Sequence, residues 1–166
     1  MKLLENGAVV TDSWITPEQA EGPWADAPAI VAVEEYAAAS AQKRNQPVGV
    51  RLQPDQDPAV LKPWLADLPL VAVTFPIFRD GRAFTQARAL REYLGFSGII
   101  RAEGHILPDQ YGFLLRCGVT SVALPDDADV GVWEAAACRF DIAYQHGLKD
   151  GPAIGVGLRR HLHLVD

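Results

Sequence analysis

Apolar and polar positions along this chain fall into two alternating regimes. Short, nearly continuous apolar runs at residues 30–33, 48–52, 70–75, 98–102 and 120–124 predict strands, and the 70–75 run has the character of one covered on both faces. Between them the apolar positions recur at helical spacing. Tyr36 and Ala39, with Lys43 on the same stripe, predict a helix over 34–46 with a thin apolar face. Leu61, Trp64, Leu65 and Leu68 predict the next, which Pro63 should kink or split into two short pieces. Ala83, Ala87, Leu90 and Leu94 line a third helix, Tyr111, Leu114 and Leu115 a fourth, and Val130, Trp133, Ala137, Phe140 and Tyr144 a fifth.

Boundary residues agree with these periods. Asp57-Pro58 supplies an N-cap followed by proline at the first helical position, and Pro108 opens the fourth helix in the same way. Asp129 caps the fifth helix, and either Asp80 or Thr85 the third. Gly95 and Gly118 stand where helices end. At the amino terminus, residues 2–5 and 8–11 flank Asn6-Gly7, the pair that a tight hairpin turn favours. Residues 12–28 are broken by Pro17, Gly22, Pro23 and Pro28, and Trp14 and Trp24 should fasten that stretch to the domain or to a partner subunit.

Strands separated by helices imply parallel pairing through right-handed crossovers. The fold class expected is α/β: a mainly parallel sheet of about four or five βα units, as an open sheet or a partial barrel, with an N-terminal β-hairpin. One domain over residues 1–145, with the hairpin in 1–12, accounts for the pattern. Residues 146–166, with glycines at 147, 151, 155 and 157, form a tail whose 159–165 segment suits an edge strand or a dimer arm, so a homodimer stays open.

Composition narrows the function classes. A formal net charge of −6 argues against general binding to nucleic acid or anionic membranes. No apolar run is long enough to span a bilayer, and the first residues turn polar too early for a secretory signal. Cys117 and Cys138 are expected as buried, reduced thiols of a cytoplasmic protein. His161 and His163 alternate without carboxylate support, too weak a pattern for a metal site. There is no dinucleotide loop, flavin motif or iron–sulfur cysteine pattern, so the expectation is a protein without metal or cofactor.

Candidate chemistry concentrates after the strands at 70–75 and 98–102, at the edge where α/β sheets build ligand sites. Arg79, Asp80 and Arg82 precede a helix N-terminus, which attracts anions. Arg101, Glu103 and His105 alternate along an extended segment and should project to one side, with Asp109 and Gln110 opening the next helix. Arginine, carboxylate and imidazole together could hold an oxyanion or move a proton, or could close on themselves as ion pairs. Cys117 sits at a helix C-terminus, where the dipole disfavours a thiolate, and packing is the better role for it.

These same residues carry a family likeness. Phe75-Pro76-x-Phe78-x-Asp80-Gly81-Arg82, Thr85-x-Ala87-Arg88-x-Leu90-Arg91, Arg101-Ala102-x-Gly104, Leu107-x-Asp109-Gln110 and Arg116-Cys117-Gly118 resemble DUF934, as does the Asn6-Gly7 hairpin followed by Asp12-Ser13-Trp14. Its members are bacterial proteins of unknown function encoded beside assimilatory sulfite reductase. The chain departs from the usual pattern at Ile77, His105 and Pro108, where members often carry a basic residue, an aspartate and an arginine. The resemblance implies a role in sulfate assimilation towards cysteine and brings no established catalytic residues. Two readings follow. One is an accessory or partner protein of sulfite reductase; the other is a small enzyme or sensor binding a sulfur oxyanion or related anion at an Arg82–Arg101 face.

Overall fold

The computed structural model describes residues 2–5, 7–16, 27–41 and 45–139. Trp24, Lys43, Phe140, Tyr144, the two histidines at 161 and 163 and the whole 146–166 tail lie outside them. Among the described residues seven strands form one sheet: β1 (Lys2–Glu5), β2 (Ala8–Thr11), β3 (Ala29–Ala32), β4 (Val48–Leu52), β5 (Leu70–Phe75), β6 (Ile99–Gly104) and β7 (Ser121–Leu124). The helices are α1 (Val33–Ala41), α2 (Arg82–Glu92), α3 (Tyr111–Arg116) and α4 (Val130–Ala137). The strand order is β2-β1-β7-β6-β5-β4-β3, parallel from β3 to β7, with the hairpin added antiparallel on β7.

Local chemistry explains the boundaries. Asp57 accepts a hydrogen bond from the Ala59 N–H at 2.8 Å, and Pro58 starts a short 3-10 turn that ends at Leu61; successive turns carry the chain on past Pro63. Asp129 caps α4 through the Gly131 N–H at 2.9 Å. Gly7, Gly95 and Gly118 take positive φ at the hairpin and past the ends of α2 and α3. β6 runs two residues beyond its expected end, because its pairing with β5 continues to Phe75↔Gly104.

The parallel strands lie side by side in sequence order, so right-handed crossovers place the described helices on one face. The main core is there: Val31, Val50, Leu52, Val71, Val73, Phe75, Ile100, Ala102 and Val122 meet Tyr36, Leu61, Ala87, Leu90, Leu114 and Trp133. Such an order never reverses within its parallel part, so the sheet lacks the crevice in which doubly wound folds bind ligands. The other face carries a smaller cluster of Ile30, Leu70 and Ala72, with Trp14 and Ile99 packed against it.

That face, which none of the described helices covers, is concave. Six strand spacings separate β2 from β3, about 29 Å in a flat sheet. Yet the chain leaves β2 at Thr11 and by Ile15 is bridged to Ala29 of β3, and these four steps reach at most about 14 Å. The sheet must curl, with Asp12–Thr16 as a strap inside the curve. β2 and β3 do not pair with each other, so the sheet is open. Cys117 is buried as expected, but Cys138, the residue ending α4, is exposed: the stripe that buries Trp133 turns away from it.

Candidate functional site

Two groups of polar residues gather around the carboxyl edge of β5 and β6. The first is outside the curve, on the loops entering α2 and α3. Arg82 opens α2 and makes a bidentate pair with Asp80, Nη2 to Oδ2 at 2.6 Å and Nε to Oδ1 at 3.0 Å. Hydrogen bonding to Arg82 holds the Asp80 carboxyl below its ordinary range, and the same bonds hold Arg82 more firmly protonated. Asp80 Oδ1 also accepts from the Arg82 N–H, but the N-cap of α2 is Gly81 without a side-chain capping bond, so neither Asp80 nor Thr85 caps the helix. Arg79 lies over the Phe78 ring at 5.4 Å.

Gln110 ties the two loops together. Its Oε1 accepts from the Leu107 N–H at 3.0 Å and its Nε2 donates to the Phe78 carbonyl at 2.9 Å. The His105 N–H donates to the Phe75 carbonyl at 2.7 Å, and the imidazole meets the Phe78 ring edge-on with centroids 5.9 Å apart. Asp109 stands exposed in the same short turn, Pro108–Gln110. The loops after β5 and β6 therefore meet, and they meet around Phe78.

The second group lies inside the curve. Arg101 and Glu103 alternate with Ile100 and Ala102, which face the helices, so both point to the concave side. Register sets Arg51, Ala72, Arg101 and Ser121 in one row across β4, β5, β6 and β7. Arg101 is completely enclosed, and its Nη1 donates to Asp12 Oδ2 at 3.2 Å, lies 3.1 Å from Asp12 Oδ1 and has Glu103 Oε1 further off at 3.7 Å. Glu103 Oε2 accepts from Arg51 Nε at 3.1 Å. Asp12 also accepts from the Trp14 N–H at 3.0 Å, which bends the strap inward. The result is a quartet with two positive and two negative groups. It borders a cavity of about 200 Å³ lined by Trp14, Thr16, Ile30, Gly104 and Ala123 as well as the four charged residues.

The eight sequence candidates thus divide. Arg79, Asp80, Arg82, His105, Asp109 and Gln110 belong to the outer loops, while Arg101 and Glu103 belong to the inner quartet. His105 leaves the row because Gly104 takes φ 101°, which breaks the alternation. Asp12, Trp14 and Arg51 were not among the candidates. Arg51 carried a local signal, a charge inside an otherwise apolar strand; Asp12 carried none that points to a partner 89 residues away.

The model of a family described as bacterial protein of unknown function (DUF934) matches residues 49–154, more than half of the chain. The chain belongs to the DUF934 family. No curated protein matches it. The matched segment contains Arg51, Arg101, Glu103 and all of the outer loops, whereas Asp12 and Trp14 of the strap precede it. None of the described helices is long and apolar enough to cross a membrane, and no three metal-ligating side chains cluster among the described residues.

Proposed function

We propose that this chain is an accessory protein of assimilatory sulfite reduction that docks on the reductase through its outer loops. One observation carries the docking reading: large apolar side chains are displayed on backbone that is already fixed. Ile77, Phe78 and Phe113 are 54%, 41% and 49% exposed. The Ile77 carbonyl accepts from the Asp80 N–H, Gln110 holds the Phe78 carbonyl, and Phe113 stacks at 4.8 Å on Phe84, which in turn meets buried Phe75 at 5.0 Å. Exposed aromatic groups on ordered backbone lose little conformational entropy on binding, which is how interface anchors behave. The choice of sulfite reductase as partner comes from the family likeness and supplies the test.

The oxyanion reading finds less support in the outer loops, because Arg82 already shares both Asp80 oxygens and an anion would have to compete with that carboxylate. Purified sulfite reductase should retain the wild-type protein on a column, and Phe78→Asp together with Phe113→Asp should weaken retention about tenfold or more, as loss of central aromatic anchors does. Cells without the gene should grow on cysteine and poorly on sulfate. Retention that ignores both substitutions would defeat the proposed face, and equal growth on both sulfur sources would defeat the pathway.

A further inference from the structure

The inner cavity does not take part in that docking reading, and its chemistry is unfinished. Arg101 lines it with a side chain 1% exposed, yet the buried Nε has no hydrogen-bond partner among the described residues. A buried guanidinium N–H left unpaired is costly, and a native fold that keeps one is a fold with a place for an acceptor. Glu103 lines the same cavity and has capacity to spare. Its Oε2 is taken by Arg51, but Oε1 approaches Arg101 Nη1 only to 3.7 Å, beyond a good hydrogen bond. The missing group must therefore accept from Arg101 and can donate to Glu103.

Charge selects further. Asp12 and Glu103 already balance Arg51 and Arg101. A lone anion or cation would leave an uncompensated charge beside the buried Arg101 and Asp12, whereas a molecule carrying both signs would not. Size sets the last limit. A volume of about 200 Å³ holds about six or seven heavy atoms at the roughly 30 Å³ that a water occupies. Trp14, Ile30 and Ala123 offer apolar wall for a short side chain. We propose that the concave-face cavity binds a small α-amino acid as its zwitterion, the carboxylate on Arg101 Nε and the ammonium on Glu103 Oε1.

Titration of the full chain with L-alanine, L-serine, acetate, methylammonium and sulfate, followed by calorimetry and thermal unfolding, tests this. One of the amino acids should bind at least about tenfold more tightly than acetate, methylammonium or sulfate, the difference that one added charged contact makes. Glu103→Gln should remove that preference. Ala123→Val leaves all four charges in place and fills part of the cavity, so it should keep the unfolding transition and weaken binding by a similar factor. No amino acid binding at about 10 mM, weaker than any useful affinity, would overturn the proposal. Acetate or sulfate binding as tightly as the amino acids would also overturn it, reducing the cavity to an anion site. Unchanged binding in Ala123→Val would place the ligand elsewhere and overturn it as well. Retention on sulfite reductase, measured on the same two variants, should not change.

Discussion

Arg101 and Asp12 meet at 3.1 Å, with side chains 1% and 6% exposed, although 89 residues separate them. The pair joins the central strand β6 to the strap that leaves β2, so it holds the sheet in its curled form. Asp12→Ala should therefore cost about 3–5 kcal/mol, the usual result of leaving one buried charge without its partner. Replacing both, as Asp12→Leu with Arg101→Met, should recover most of that loss, because Glu103 keeps Arg51 and the apolar pair adjoins Trp14 and Ile30. Urea unfolding of the two variants measures the contrast. A double variant as unstable as the single one would show that the ion pair itself is required.

Gln86 is the second buried polar anchor. It is on the inward face of α2, and its Nε2 donates to the carbonyls of Gln53 at 2.7 Å and Gln56 at 2.8 Å. These bonds hold the turn after β4 against the helix. Gln86→Leu should destabilise by about 1–3 kcal/mol, the cost of unpairing buried carbonyls, while Gln86→Ala should do so with an added cavity. Equal urea midpoints for wild type and Gln86→Leu would show that water replaces the amide freely.

How much of this was legible in the sequence depended on whether the cause was local. The apolar runs located all five parallel strands to within a residue or two, since strands covered on both faces have no polar alternation to confuse them. Asp57, Asp129, Gly95 and Gly118 declared their helix ends through capping chemistry that acts over three or four residues. The curl was not legible, because it follows from the bridge of Ile15 to Ala29, which draws together β2 and β3, consecutive in the chain but at opposite ends of the sheet. Arg101 and Glu103 were recognised as chemistry, but their true partners, Asp12 and Arg51, are set by that curl and by cross-strand register. Gln86 carried no signal in the sequence, because only the position of the 53–56 turn makes it an anchor.

Alkaline pH should weaken the fold. Burial pushes the Cys117 thiol up, with Arg88 and Arg116 opposing, and burial likewise raises the Tyr36 and Tyr111 phenols. For each group the folded state holds its proton more tightly than the unfolded chain. Stability from this source is complete below the unfolded values, about 8.5 for cysteine and about 10 for tyrosine, and is lost as pH rises through the higher folded ones. The unfolding midpoint should start to fall above about pH 8.5 and fall more steeply above about pH 10. Cys117→Ala should delay the first onset. At neutral pH a thiol reagent should modify exposed Cys138 and leave Cys117 untouched until the protein unfolds. Rapid modification of both in the native protein would contradict the burial.

Gly104 is the place where close approach and backbone conformation coincide. It has φ 101°, and a Cβ there would run into the Phe75 carbonyl, the acceptor of the His105 N–H at 2.7 Å. Gly95 provides the control, with φ 66° and open space where its Cβ would be. Gly95→Ala should cost only the left-handed backbone penalty of about 1–2 kcal/mol. Gly104→Ala carries a strain of about 1–3 kcal/mol and in addition must push β5 and β6 apart where they are paired. It should be the more damaging of the two in urea unfolding. It should also disturb the outer loops, because His105 and Phe78 are in contact and Gln110 hangs on the Phe78 carbonyl. Retention on sulfite reductase should therefore fall in Gly104→Ala and stay unchanged in Gly95→Ala, even below the temperature at which either variant unfolds. Equal stability losses in the two would show that the β5–β6 contact yields easily, and the link from Gly104 to the docking face would fail with it.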